Sequence, residues 1–100
     1  MEDVKVGDGD QVGKGCNVSV AYVGTLEDGS QFDAATKFSF EVGAGDVIKA
    51  WDRGLVGMRV GGVRKLRVPP KLGYGKRGSP PEIPPDATLL FTITLKGLTR

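Results

Sequence analysis

The sequence predicts an α+β domain, five short strands wrapped around one short helix, and three observations carry that reading. Alternating apolar and polar residues recur in several short runs, only one stretch shows helical spacing, and 16 Gly with 6 Pro in 100 residues keep every element brief. A chain of this length supports one core and one domain. Its 39% hydrophobic and 26% charged residues suit a folded core with a solvated surface.

The first strand spans 17–26. There Val18, Val20, Tyr22 and Leu26 share one face, with Asn17, Ser19 and Thr25 on the other. Glu27-Asp28-Gly29-Ser30 carries the Asp-Gly pair that favours a hairpin, so Gln31-Phe32-Asp33 should return as a second strand. Phe38, Phe40 and Val42 then alternate along a third strand that stops at Gly43. The helix should begin near Asp46, whose carboxylate can accept from the first free backbone N–H groups. Val47, Ile48, Trp51, Leu55 and Met58 recur at roughly helical spacing until Gly61-Gly62. Short, and with Gly54 inside, such a helix needs tertiary packing to hold it. Val63–Val68 reads as a strand with Leu66 and Val68 inward, ended by Pro69-Pro70, and 87–98 as a last strand with Leu89, Phe91, Ile93 and Leu95 on one face. Residues 71–86 form a long Gly/Pro loop that Leu72, Tyr74 and Ile83 anchor and four prolines stiffen, which suits one wall of a pocket.

Composition removes whole classes of chemistry. With no His and one Cys, triads built on imidazole, Cys-His catalysis, imidazole zinc sites, four-thiolate zinc clusters and internal disulfides are all excluded. No cofactor and no metal is expected. No apolar run reaches the roughly 18–20 residues of a membrane helix, so no membrane contact is expected. Glu2 and Asp3 follow Met1 in place of a basic, apolar leader. A lone Cys16 fits a reducing compartment and almost any other, and an intracellular setting, cytoplasmic or nuclear, is expected. A net charge of +2 is weak support for nucleic acid, and Arg59, Arg64, Lys65 and Arg67, followed by Lys71, Lys76 and Arg77, read first as a solvated strand face and loop.

The aromatics Tyr22, Phe32, Phe38, Phe40, Trp51, Tyr74 and Phe91 fall in segments that converge on the helix. Each alone reads as core. Trp51, near the start of a short helix, can fill the centre or floor an apolar cleft, and Asp33 either faces solvent or needs a partner.

One ordered set of motifs reaches further. Tyr22-Val23-Gly24-Thr25-Leu26-Glu27-Asp28-Gly29 precedes Phe32-Asp33; Phe40-Glu41-Val42-Gly43 precedes Val47-Ile48-Lys49-Ala50-Trp51-Asp52; Gly57-Met58-Arg59-Val60-Gly61-Gly62 follows. Gly73-Tyr74-Gly75, Ile83-Pro84-Pro85 and Leu89-Leu90-Phe91 complete the order. Across about residues 4–98 this closely resembles the FKBP family of peptidyl-prolyl isomerases, the immunophilins that bind macrolide immunosuppressants. The resemblance implies a half-open, five- to six-stranded antiparallel sheet around the helix, with a ligand cleft between them, in a monomer that stands alone or as one domain of a longer protein. It implies that Trp51 floors the cleft, that Tyr22, Phe32, Phe38, Val47, Ile48 and Phe91 wall it, and that Asp33 and Tyr74 are polar rim groups. It further implies ligand contacts from the Ile48 backbone, the Asp46 carbonyl and Ile83. On this likeness Asp33, Trp51, Tyr74 and Phe91 are the catalytic candidates, and the ligands are proline-containing segments and macrolides of the rapamycin type. The chain departs from the family at Asp33–Phe38, some four residues shorter than in the best-known members, and at Ser79 and Glu82, which replace a histidine and an apolar residue.

The expected chemistry suits a chain without histidine, because turning an X-Pro bond breaks no covalent bond and crosses only a rotation barrier of roughly 18–20 kcal/mol. Three other readings share the sequence. The cleft can capture proline segments without turnover, as a binding or chaperone module. Pro80-Pro81-Glu82-Ile83-Pro84-Pro85 can serve as a polyproline ligand. The basic residues can contact nucleic acid or chromatin.

Overall fold

Every run whose alternation buries one face becomes a strand. The computed structural model describes residues 2–78 and 83–99, with β1 (Glu2–Lys5), β2 (Asn17–Leu26), β3 (Gln31–Glu41), α1 (Lys49–Gly54), β4 (Val63–Val68) and β5 (Leu89–Thr99). The strands form one antiparallel sheet in the order β1-β4-β5-β2-β3. Val18 and Val20 of β2, Leu66 and Val68 of β4, and Leu89, Phe91, Ile93 and Leu95 of β5 point to one face. There they close over Trp51, Leu55 and Met58. This is the expected α+β architecture, a sheet around one short helix.

Three elements differ from expectation. The returning strand and the Phe38 strand are one element, because β3 continues through Ala34–Lys37 with a slip in register: Val20 faces Phe38 and Tyr22 faces Ala35. The residue pattern shows no strand before Asn17, yet β1 pairs with β4 at the edge of the sheet. The helix is shorter than its apolar spacing implied. Gly43 and Gly45 hold φ of 88° and 80°, and Ile48 is extended at ψ 151°, so helical geometry starts only at Lys49. The Asp46 carboxylate does not cap it, and no side chain does.

Gly54 brings the helix close against β4. A Cβ there would lie 3.0 Å from both Leu66 methyl groups, so a side chain at this position would crowd Leu66 and force it to shift. Arg64 locks the same junction. It does not share the solvated strand face with Lys65 and Arg67; it turns inward, 6% exposed, and pairs with Asp3 of β1. Its Nη1 also donates to the Gly54 and Val56 carbonyls at 2.6 and 3.1 Å, which would otherwise be unpaired at the helix end. The Arg64 hydrogen bond in turn holds the Asp3 carboxyl below its ordinary range.

Of the loop's expected anchors, Ile83 is buried in the core and Leu72 packs against it, whereas Tyr74 is 43% exposed; backbone bonds hold the rest. A 3-10 turn at Pro70–Leu72 opens the loop, the Gly75 N–H donates to the Pro70 carbonyl at 2.7 Å, and the Asp86 N–H donates to Gly75 at 3.1 Å. Ser79, Pro80, Pro81 and Glu82, to which the departures and the polyproline reading refer, lie outside the described residues.

Candidate active site

Alternation along β2 places Tyr22 on the core face, yet beyond Val20 the sheet is no longer sealed by the helix, so the ring borders a hollow. β3 adds Phe32 and Phe38, β5 adds Phe91, and the first turn of α1 adds Trp51. The hollow has a volume of about 260 Å³. Trp51 is 4% exposed but remains part of its lining, as the floor.

The rings meet edge to face around the indole. Tyr22 lies 4.8 Å from Trp51 at 80° and Phe91 lies 5.2 Å away at 83°, centroid to centroid. Phe32 meets Phe91 at 5.6 Å and 83°. These separations and angles are the favourable ones for aromatic pairs, worth about 0.5–1.5 kcal/mol each beyond burial. Gly24 makes the wall dense: a Cβ on it would come within 2.7 Å of the Phe32 ring and 2.8 Å of the Phe91 ring. The indole N–H is enclosed and has no hydrogen-bond partner among the described residues, so the floor shows only apolar ring to the hollow.

Polar groups share the lining with the rings. The Tyr22 hydroxyl donates to Asp33 Oδ2 at 2.7 Å, and the Ala34 N–H donates to Oδ1 at 2.8 Å, so the carboxylate of an exposed residue is fixed from both sides. Burial, then the hydrogen bond to Asp33 and its charge, push the Tyr22 phenol up to about 12, so it stays a donor through the physiological range. Tyr74, 43% exposed, stands at the mouth.

The remaining wall is the segment before the helix, Asp46, Val47 and Ile48. The Ile48 carbonyl accepts the Trp51 and Asp52 N–H groups at 3.0 and 3.3 Å, whereas its own N–H has no acceptor among the described residues. Sequence reasoning missed what holds this wall. The Asp52 carboxylate accepts the Gly43 N–H at 2.9 Å and the Gly45 N–H at 3.1 Å, tying the loop to the helix. The available signal was an acid in the first helical turn beside a glycine-rich loop with backbone donors to satisfy.

Of the expected site residues, Tyr22, Phe32, Asp33, Phe38, Asp46, Val47, Ile48, Trp51, Tyr74 and Phe91 come together here. Ile83 does not. It is 4% exposed within the main core because the loop folds it inward, and it is not part of the hollow's lining. The described residues bring no group of three or more Cys, Asp or Glu into metal-binding range.

Comparison with known proteins agrees with the geometry. Residues 9–96 match the family described as FKBP-type peptidyl-prolyl cis-trans isomerase. FK506-binding protein 4 of Rhizopus delemar is 48% identical over 98 residues, 95% of this chain and 26% of that protein. Human peptidyl-prolyl cis-trans isomerase FKBP2 is 48% identical over 91 residues, 87% of this chain and 64% of that protein. The chain thus spans about a quarter of the first relative's length. The crystal structure of AtFKBP13 superposes with a TM-score of 0.90 at 39% identity, covering 97% of this chain and 90% of that one.

Proposed function

Because the chain belongs to the FKBP-type peptidyl-prolyl cis-trans isomerase family, we propose that its ring-lined hollow accelerates rotation about X-Pro peptide bonds. One observation carries the reading: a small hollow floored by Trp51 and walled by the rings of Tyr22, Phe32, Phe38 and Phe91, with Asp33, Asp46 and Tyr74 also in its lining. A planar amide is stabilised in water by its charge separation more than the twisted amide is. Moving the bond among Trp51, Phe91, Phe32, Phe38, Tyr22 and Val47 withdraws that solvation from the flat form. The free Ile48 N–H orients a substrate carbonyl, the Asp46 carbonyl accepts from the substrate backbone, and Asp33 with Tyr74 serves the polar side of the twisting bond. A barrier lowered by about 5–8 kcal/mol corresponds to roughly 10^4–10^6-fold. No acid, base or nucleophile enters.

The same hollow would receive part of a rapamycin-type macrolide. At about 260 Å³ it is smaller than the roughly 300–1,000 Å³ of pockets that enclose drug-sized ligands, so only a proline-sized portion would enter. An intracellular setting fits the buried, unpaired Cys16, and no helix among the described residues is long and apolar enough to cross a membrane.

The test is isomerisation of a short X-Pro peptide by the purified domain, beside titration of Trp51 fluorescence with the same peptide or with rapamycin. Fast turnover with a change in fluorescence supports the reading. A fluorescence change at the uncatalysed rate would assign the hollow to proline capture alone.

A further inference from the structure

On the far side of the segment that walls the aromatic hollow lies a second, open hollow of about 520 Å³, lined by Lys14, Gly43, Lys49, Asp52, Arg53 and Val56. Three cations converge on it. Lys49 and Arg53 stand four residues apart on α1, a like-charge spacing that weakens an isolated helix. Lys14 arrives from the segment before β2 with its stem laid over Gly43. A Cβ there would meet the Lys14 Cγ at 2.7 Å, so the glycine is what lets the lysine lie in this place.

Asp52 offsets part of this charge, but among the described residues none of the three cations forms an ion pair. Among the described residues the ion pairs are Arg64–Asp3 and Arg67–Glu27, and Asp52, the one acid in the hollow, has each oxygen engaged by a loop N–H. Val56, 46% exposed, adds an apolar edge.

We propose that this hollow docks an acidic polypeptide segment, with carboxylates at Lys14, Lys49 and Arg53 and an apolar side chain against Val56. Convergent cations beside an apolar residue match a short acidic stretch. A nucleic acid would call for a row of cations along a track, and Lys65 and Arg67 lie on the opposite face of the sheet, with Arg67 already paired. Docking does not depend on turnover. If the aromatic hollow acts on prolines as proposed, an acidic stretch held here raises the local concentration of prolines in the same client.

The experiment is fluorescence anisotropy with a labelled, proline-free Asp/Glu-rich peptide, at low and raised ionic strength. Binding should weaken with salt. It should also weaken by about tenfold or more in the Lys14→Glu/Arg53→Glu pair, and hold in the Lys65→Glu/Lys96→Glu pair, which changes net charge equally on the other sheet face. Native Trp51 fluorescence and unchanged turnover of a neutral X-Pro peptide check the fold, and Lys49→Ala serves if the double variant fails that check. No binding by the wild type, equal weakening in both pairs, or tighter binding of a short single-stranded oligonucleotide through the same residues would overturn the proposal.

Discussion

Two hollows flank the centre of the sheet, and the larger is the poorer place for chemistry. On the outer face, Ala21, Val23, Ala34, Ala35, Thr36, Lys37, Thr92 and Thr94 surround about 700 Å³, with Tyr22, whose ring packs on Trp51, as the one aromatic residue. On the inner face about 260 Å³ is bounded by six aromatic side chains, the fixed Asp33 carboxylate and the segment Asp46–Ile48. Volume without enclosure leaves water in place, so an amide in the outer hollow would keep its hydration. The difference lies in what covers each face: α1 and the loop before it close over one, and nothing described covers the other.

Variants can break that contrast. Trp51→Ala removes the floor and should lower kcat/KM by roughly a hundredfold, about 2.7 kcal/mol, while Trp51→Leu, which keeps the floor apolar, should retain part of the activity. The paired control, Thr94→Val in the outer hollow, should leave turnover unchanged in the same peptide assay. Tyr22→Phe breaks the 2.7 Å bond to Asp33 and should reduce kcat/KM by about tenfold with little loss of thermal stability, measured by melting beside the assay. Gly54→Ala reverses the pattern: crowding against Leu66 should destabilise the domain by about 1–3 kcal/mol in denaturant unfolding, with activity per folded molecule preserved.

How much of this was legible depends on what each residue packs against. β2, β4 and β5 bury one face, so Val18, Leu66 and Ile93 announce their strands by alternation. β1 lies at the sheet's edge with Val4 53% exposed, and Ala34–Lys37 of β3 has little to bury, so neither shows a period. Apolar spacing overstates the helix because Val47, Ile48, Leu55 and Met58 are apolar for tertiary reasons, while glycines at positive φ interrupt the turn. The site was visible as an ordered set of motifs. The Asp52 and Arg64 bonds were not, since hydrogen bonds to backbone groups distant in sequence leave no periodic mark.

The smallest effect is a titration. The Tyr22 phenol holds its proton to about 12 in the folded chain and releases it near 10 when unfolded. Its contribution to stability is therefore complete below pH 10 and lost as pH rises from 10 to about 12. Tyrosinate absorbance should show one phenol titrating near 12, moved downward by Asp33→Leu, which removes the hydrogen bond and charge but leaves the burial.

The most direct measurement is the pH profile of catalysed X-Pro isomerisation between about pH 5 and 9, in the wild type and in Trp51→Ala. Rotation without proton transfer predicts fast, level turnover in the wild type and its loss when the indole is removed. A bell-shaped profile, or equal rates for the two proteins, would contradict the claim that a dry, ring-lined hollow does the catalysis.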